Sequence, residues 1–236
     1  METIDHYDGV FFISSCLNAK VKNIYSPKVR FAQTLETIYS IDKYCPRSLK
    51  ILHDTSTEPM DQKYIDFIGS EGVTIVYTGQ NPTIQQLSSA ALTSATELFS
   101  TIITMNWFNE NIRDKITALR AYKISGRYKL NDNFILHDDR FANAFVHNTS
   151  VDSYMPVERR EQTGAFKAYG TRLVHWDYNL MDTYINALPL MFEDCVNFGI
   201  DAEHAYWKRL HTYNNVDLPK VGVEGWIAPL GKYEDD

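Results

Sequence analysis

The chain has 236 residues, of which 44% are hydrophobic and 22% are charged, a composition typical of soluble globular proteins. Its formal net charge of −7 argues against broad nucleic-acid binding, because phosphate backbones are bound by clustered Lys and Arg. The three cysteines, Cys16, Cys45 and Cys195, have neither CxxC spacing nor the spacing of metal ligands.

The hydropathy pattern of the chain indicates in which cellular compartment the protein is expected. No apolar run approaches the ~20 residues of a membrane-spanning helix. The polar start, METIDHYDG, lacks the apolar core of a signal peptide. We therefore expect a cytoplasmic protein with reduced thiols and no membrane span.

The first hundred residues alternate between strand and helix patterns. An apolar run over 10–17 predicts a strand that is buried on both faces. Ser26 and Pro27 then supply the cap and first turn of a helix that ends before Pro46. Further patterns predict a strand over 49–53, a helix over 59–68, a strand over 73–77 and a long helix over 83–108. This alternation predicts an α/β fold, with a mostly parallel central sheet and helices on both faces.

Polar residues follow several of the predicted strands. Ligands of such sheets bind at the carboxyl ends of the strands. The polar strand ends predicted here are residues 14–18, 53–56, 78–81 and 125–128. We therefore expect a ligand crevice along this edge of the sheet.

The second half of the chain has less regular patterns. They predict strands over 134–136, 141–146 and 166–176, a loop or edge strand over 151–162, and helices over 179–195 and 201–211. No internal repeat, low-complexity linker or charge block divides the chain. The sequence therefore predicts a single domain over residues 1–236.

Several common catalytic motifs are absent. The sequence contains no GxGxxG after the first strand, no GxxxxGK[ST] and no GxSxG. A classical dinucleotide-binding fold, a P-loop hydrolase and an α/β-hydrolase are thereby disfavoured. Side chains and helix ends must then hold any phosphate ligand.

Residues 123–132, KISGRYKLND, are the most informative stretch. Gly126 permits close backbone approach, Arg127 offers a fork of donors suited to phosphate or carboxylate, and Tyr128 adds an aromatic face and a hydroxyl. This combination at a strand end indicates a site for a charged ligand. The alternative is a plain turn with Arg127 in a structural ion pair.

Two further acidic pairs have both functional and structural interpretations. Asp138 and Asp139 could hold Mg²⁺ or Mn²⁺ beside substrate phosphates, although Asp is also common in turns at strand ends. Asp201 or Glu203 could be a general base facing an acceptor hydroxyl. The structural interpretation of this second pair is helix capping by Asp201, with favourable dipole interactions.

Three segments carry a resemblance to a known family. Residues 122–128 match the pattern [FY]-K-[IL]-[ST]-G-R-Y, and residues 200–210 and 222–232 are similar to the family's acceptor-side helix and C-terminal segment. The family consists of GT-A-type glycosyltransferases from bacterial polysaccharide clusters, phages and algal viruses. The resemblance implies a GT-A-like (Rossmann-like) domain, with a donor-binding half over 1–130 and an acceptor half over 131–236.

The resemblance also implies roles for residues at the strand ends. It places a nucleotide-diphosphate sugar across this edge, with Ser14, Ser15 and Asn18 lining the nucleotide site and Asp54 meeting the base or ribose. Most GT-A enzymes bind a metal there through an Asp-x-Asp motif. Residues 123–128 occupy the corresponding place in this chain and contain no acid.

The lack of that motif suggests a different way to stabilise the leaving diphosphate. Arg127, with Lys123, would neutralise it without a metal, next to Gly126 and Tyr128. Mn²⁺ or Mg²⁺ stays possible, with Asp138 and Asp139 as fallback ligands. The second substrate would be a glycan or another hydroxyl acceptor, and in a virus the compartment would be the host cytoplasm.

Two other classes of function stay open at this point. A non-catalytic carbohydrate- or nucleotide-binding module, or a viral structural protein, could reuse the fold. A nucleotidyltransferase is a third possibility, but such enzymes grip a triphosphate with a Gly-rich loop after the first strand. Residues 16–20, CLNAK, contain no glycine.

Overall fold

The computed structural model describes residues 4–19, 24–227 and 231–236. The helices in these ranges are α1 (Pro27–Tyr44), α2 (Gln62–Ser70), α3 (Pro82–Ser89), α4 (Thr93–Asn111), α5 (Val157–Thr163), α6 (Met181–Phe198) and α7 (Ala202–Leu210). The strands are β1 (Asp5–Ser15), β2 (Ser48–Asp54), β3 (Val73–Tyr77), β4 (Ile116–Ser125), β5 (Tyr128–Leu130), β6 (Phe145–Asn148), β7 (Val151–Asp152), β8 (Lys167–Ala168), β9 (Leu173–Asp177), β10 (Asn215–Leu218), β11 (Val223–Ile227) and β12 (Lys232–Asp235).

The central sheet has seven strands in the order β10-β6-β9-β4-β1-β2-β3. Strand β1 pairs in parallel with both β2 and β4, and β2 pairs in parallel with β3. Only β9 runs against its neighbours, β4 and β6, while β10 is parallel to β6. The predicted α/β fold with a mostly parallel sheet is therefore confirmed.

Both faces of the sheet are covered, as the apolar run in β1 predicts. Val10 and Phe12 face one side, where α4, α6 and α7 pack. Phe11 and Ile13 face the other side, which is covered by α1 and α2. Each of these side chains has no exposed area, and burying one contributes roughly 1.5–3 kcal/mol.

The long helix predicted over 83–108 is two helices, α3 and α4. Ala91 takes a left-handed conformation with φ of 57°, which a helix interior does not allow. The Leu92 N–H donates to the Leu87 carbonyl and closes the end of α3. The break turns the first residues of α4 toward the carboxyl edge of the sheet.

Several predictions for the second half are wrong. Residues 134–136 are irregular rather than a strand, and the strand predicted over 141–146 lies at 145–148, after a short 3₁₀ turn. The region 151–162 contains β7 and most of α5, and 166–176 forms two strands, β8 and β9. Gly170 separates these strands, because its N–H bonds to the Asn148 side chain and bends the chain away.

The last segment forms a second, three-stranded sheet. Strand β11 pairs antiparallel with β12 and with β5, which follows directly on the Gly126–Arg127 turn. Within the family-like segment 222–232, residues 228–230 lie outside the described residues. No helix in the described ranges is long and apolar enough to cross a membrane. The assignment of residues 1–236 to one domain stays a prediction.

Candidate active site at the switch point of the sheet

A cleft of about 460 Å³ opens at the carboxyl ends of β1 and β4. Ser14 and Ser15 line it from β1, and Ser125 lines it from the end of β4. The chain leaves β1 for β2 on one side and later returns to place β4 on the other. The cleft therefore lies at the topological switch point, where open α/β sheets bind ligands. We call it the switch-point cleft.

Its charged lining is mostly basic. Four cations and two carboxylates reach the cleft from separate elements: Arg30, Lys123, Arg127, Arg172, Glu97 and Glu203. Serine and threonine hydroxyls supply much of the remaining surface. Such a lining suits a polar, anionic ligand rich in hydroxyl groups.

Gly126 fixes the turn that carries Arg127. Its N–H donates to the Ser14 carbonyl at 2.8 Å, and its own carbonyl accepts from the Thr34 hydroxyl at 3.2 Å. A Cβ at this position would lie 3.3 Å from the Ser14 carbonyl oxygen and 3.3 Å from the Thr34 hydroxyl oxygen. The close approach that glycine permits is therefore toward β1 and α1, and it holds the turn against both.

Arg127 lacks the carboxylate partner that the structural interpretation required. No ion pair joins it to any residue of the described ranges, and its buried Nε has no hydrogen-bond partner there. Burial, together with the positive charge of Arg127, lowers the pKa of Arg30 to about 10. Two guanidinium groups thus lie close enough to repel each other, which favours an anion between or beside them.

Lys123 is committed to a buried ion pair. It is 3% exposed, and its Nζ lies 2.6 Å from Glu97 Oε1 and donates to the Thr171 carbonyl. Ser14 donates to the same Glu97 oxygen at 3.0 Å. Burial would raise the pKa of Glu97, but the charges of Lys123 and Arg127 outweigh it and hold the pKa at about 2. Lys123 therefore neutralises a carboxylate of the protein rather than standing unpaired in the cleft.

Glu203 enters the cleft from the first turn of α7. Its Oε1 accepts a hydrogen bond from the Thr171 hydroxyl at 3.1 Å. Burial, and next the negative charge of Asp201, raises the pKa of Glu203. A carboxyl group with a raised pKa in a polar cleft is suited to accept a proton from a substrate hydroxyl.

Asp201, the other predicted base, has a structural environment. Its Oδ1 accepts from the His204 backbone N–H at 3.0 Å and lies 2.6 Å from His204 Nδ1. It caps α7, as the alternative interpretation of the sequence has it, and it is not among the residues that line the cleft. The structure thus brings Glu203, but not Asp201, to the cleft.

The residues predicted to bind the nucleotide fall into two groups. Ser14, Ser15, Lys123, Gly126 and Tyr128 line the cleft. Asp54 is fully buried instead, and its two carboxylate oxygens each accept a backbone N–H at 2.9 Å, from Leu17 and from Ser56.

Asn18 belongs to the same loop as Leu17. Its backbone N–H donates to the Ser56 hydroxyl, and its side chain lies 3.5 Å from Glu58. Asp54 and Asn18 therefore shape the loop after β1, outside the lining of the cleft.

The fallback metal ligands lie elsewhere. Asp138 bonds to the Arg140 guanidinium, and this bond lowers the pKa of Asp138 to about 2. Asp138 lies close enough to Arg120 for its charge to act on that guanidinium. Arg120 is paired with Gly9, six residues before the end of β1, so this region is away from the carboxyl edge of the sheet. Neither Asp138 nor Asp139 lines the cleft, and the described part of the chain holds no group of three or more His, Cys, Asp or Glu side chains arranged for a metal.

Sequence reasoning missed Glu97, Arg172 and the start of α4. Glu97 was hidden inside a predicted helix, where a lone acid among Ser and Thr was the only signal. Arg172 lines the cleft, and its guanidinium pairs with the carboxylates of Glu234 in β12 and of Asp236 directly after it. Helix α4 begins without a side-chain cap, and its first turn lines the cleft, so its partial positive charge is directed there.

No protein-family model matches the sequence, and a search of curated proteins finds no match. Solved structures with a loose likeness to this chain include the following three. Mouse Xyloside xylosyltransferase 1 in its apo form is 9% identical, with 90% of this chain and 85% of that chain covered and a TM-score of 0.43. A cytidylyltransferase from Leptospira borgpetersenii is 12% identical, with 92% and 78% covered and a TM-score of 0.46.

The third structure is Core-mannan synthase A from Aspergillus fumigatus in an Mn/GDP form. It is 8% identical, with 84% of this chain and 68% of that chain covered and a TM-score of 0.45. With TM-scores below 0.5, these likenesses do not identify a family or an activity for this chain.

Proposed function

We propose that this protein is a glycosyltransferase that moves a sugar from a nucleotide-diphosphate donor to a hydroxyl acceptor. The observation that carries the proposal is the position of Arg127. It lies in the switch-point cleft with Glu203 and has no ion pair within the described residues. The resemblance of residues 122–128 to GT-A-type enzymes supports the same assignment.

In the proposed reaction, Arg127 binds the diphosphate. A guanidinium can donate two parallel hydrogen bonds to phosphate oxygens. As the bond between the sugar's anomeric carbon and the phosphate oxygen breaks, negative charge grows on that oxygen, and a fixed cation stabilises it. The uncapped start of α4, which also lines the cleft, adds backbone N–H donors.

Glu203 is the proposed base. As the acceptor oxygen attacks the anomeric carbon, its proton passes to the Glu203 carboxylate, and the nucleoside diphosphate departs. The hydrogen bond from Thr171 fixes the orientation of the carboxylate. The raised pKa of Glu203 increases its affinity for that proton.

The donor atoms of the cleft do not fit a divalent metal held by the protein. Of its two carboxylates, Glu97 is ionised but its charge is already balanced by Lys123, and Glu203 has a raised pKa, which opposes its ionisation. Mn²⁺ and Mg²⁺ prefer sites with ionised carboxylate ligands. We therefore propose that Arg127 neutralises the diphosphate without Mn²⁺ or Mg²⁺, so that transfer persists in a chelator.

The test is a panel of UDP, GDP and dTDP sugars, assayed for binding by calorimetry and for donor hydrolysis and transfer to simple glycosides. In the Arg127→Ala variant we expect turnover to fall about 100- to 1000-fold, the usual cost of one lost transition-state donor. Arg47→Ala is the matched control, because Arg47 is 65% exposed and pairs with Asp8 outside the cleft.

Unchanged turnover in Arg127→Ala, with an intact melting transition, would contradict the role of Arg127. Binding of a donor without any turnover would favour the non-catalytic module. Release of pyrophosphate from a nucleoside triphosphate and a sugar phosphate would favour a nucleotidyltransferase.

A further inference from the structure

Glu97 is a second carboxylate of the switch-point cleft, and the proposed transfer gives it no task. Its Oε1 takes both of the contacts that hold it, from Ser14 at 3.0 Å and from Lys123 at 2.6 Å. Its Oε2 has no partner in the described part of the chain. The side chain stays 36% exposed and lines the cleft. One oxygen is thus anchored, and the other is left without a partner among the described residues, on a side chain that lines the cleft.

The anchoring also fixes the chemical state of this group. Partial desolvation in the cleft would raise the pKa of Glu97, but Lys123 and Arg127 outweigh it and keep the pKa at about 2, so the carboxylate is charged at neutral pH. An ionised carboxylate accepts hydrogen bonds and donates none. Its natural partners are hydroxyl groups. A carboxylate placed against Oε2 would find no hydrogen-bond donor there and would face a like charge, which Lys123 balances from the side of Oε1.

We propose that Glu97 Oε2 accepts hydrogen bonds from hydroxyl groups of the donor sugar, and that the cleft thereby selects neutral sugars over uronic acids. This proposal rests on the proposed function. It assigns the sugar to the space between Glu97 and Glu203, next to the diphosphate at Arg127. The acceptor hydroxyl then approaches from the side of Glu203.

The direct test compares donors that share a nucleotide and differ only in the sugar's charge. The pairs are UDP-glucose with UDP-glucuronic acid, and GDP-mannose with GDP-mannuronic acid. For the nucleotide that the wild-type protein uses, we expect kcat/KM for donor hydrolysis to be at least 100-fold higher with the neutral sugar. Equal values, or a preference for the uronic acid, would overturn the proposal.

A variant tests whether Glu97 is the cause. In Glu97→Gln, the ratio of kcat/KM for the neutral sugar to kcat/KM for the uronic acid should fall at least 10-fold. The amide keeps the shape of the side chain, has no charge and offers a hydrogen-bond donor to the uronate. Glu110→Gln makes the same change at an exposed position of α4 and should keep the wild-type preference. An unaltered preference in a folded Glu97→Gln protein would assign the selection to another group and overturn the role of Glu97.

Two measurements separate this proposal from the proposed function. The wild-type comparison needs no variant, so it decides the matter even if Glu97→Gln does not fold. Calorimetry with UDP and GDP alone reports on the diphosphate site. Binding of a nucleotide without sugar preference overturns only the role of Glu97, whereas no binding of any nucleotide or donor overturns both.

Discussion

At the scale of single residues, the cleft contains two kinds of charged side chain: those with an ion-pair partner and those without one among the described residues. Lys123 and Glu97 neutralise each other, and Arg172 is neutralised by acids near β12. Arg127 has no such partner in the described ranges, and Glu203 is held by a hydroxyl rather than by a cation. A desolvated, unpaired charge is costly, and a charged ligand removes the cost. An anionic ligand would therefore stabilise Arg127, whereas Glu203 would gain a hydrogen bond from a substrate hydroxyl.

The proposed role of Glu203 as the base gives a prediction for one variant. Glu203→Gln should reduce transfer by about 100- to 10,000-fold, because an amide cannot take the acceptor's proton. Wild-type activity should rise with pH through the raised pKa of Glu203, because the base works when deprotonated, and the variant should lack this limb. Rate–pH profiles of both proteins measure the effect.

Nucleotide binding provides the control for that prediction. Affinity for the nucleoside diphosphate, measured by calorimetry, should stay unchanged in Glu203→Gln. Glu193→Gln, an exposed position on α6, should behave as wild type. A variant at Glu203 that keeps transfer within a few-fold of wild type would rule out its role as base.

At the scale of elements, two short connections decide what faces the cleft. The turn after β4 is held on two sides, since Gly126 bonds to β1 and α1, and the Ser125 N–H bonds to the Arg172 carbonyl. Arg127 therefore extends from a fixed point. The break between α3 and α4 is equally important, because an unbroken helix over 83–108 would have no N-terminus at the cleft.

Ala91, in that break, allows a stability prediction. Its φ of 57° costs a side-chain-bearing residue about 1–2 kcal/mol, and glycine avoids this at an entropic cost of about 0.5–1 kcal/mol. Ala91→Gly should therefore raise the free energy of unfolding by about 0.5–1 kcal/mol in urea denaturation. Ala90→Gly, where φ is −80°, is the control and should lower it. Equal destabilisation by both changes would refute the argument.

At the scale of the whole molecule, the sheet excludes water from several titratable groups on both faces. His53 and His147 have no exposed area, and burial lowers the pKa of each to about 4. His175 stacks on Tyr122 at 5.0 Å, and burial lowers its pKa well below the usual 6.5. The native state therefore holds these three imidazoles neutral.

This burial predicts unfolding in mild acid. Between pH 6.5 and about pH 4, these histidines are protonated in the unfolded chain and neutral in the folded chain. The free energy of unfolding therefore decreases as the pH is lowered through this window. Each histidine contributes about 1.4 kcal/mol per pH unit, or about 3 kcal/mol over the window for His53 and for His147. Against a typical total of about 5–15 kcal/mol, this is a large loss.

Urea denaturation at pH 7, 6 and 5 measures that slope. His175→Phe should flatten it by about a third, because one of the three protons is removed and the neighbours, Tyr122 and Phe141, are aromatic. Stability that stays level from pH 7 to pH 5 would show that these histidines are not responsible.

The sequence by itself determined the parallel first half of the sheet and the edge at which its polar strand ends lie. Continuous apolar runs, helix caps and polar strand ends are local signals, so β1, α1, β2 and β3 could be read within a few residues. The position of Arg127 after β4 was readable for the same reason. The irregular second half was not, because short strands such as β7 and β8 depend on distant partners rather than on their own periodicity.

Only the tertiary structure decided which charged groups share the cleft and which of them are neutralised. Glu97 and Lys123 are 26 positions apart, and nothing in either segment indicates that they meet. Asp54 and Asp201 were predicted to be functional acids. In the structure, backbone N–H groups donate to Asp54, and the His204 side chain contacts Asp201. The sequence gives the chemical type of each side chain directly. Whether a charge is neutralised depends on contacts between segments that are distant in the sequence. Those contacts leave Arg127 and Glu203 in the cleft without an ion pair among the described residues.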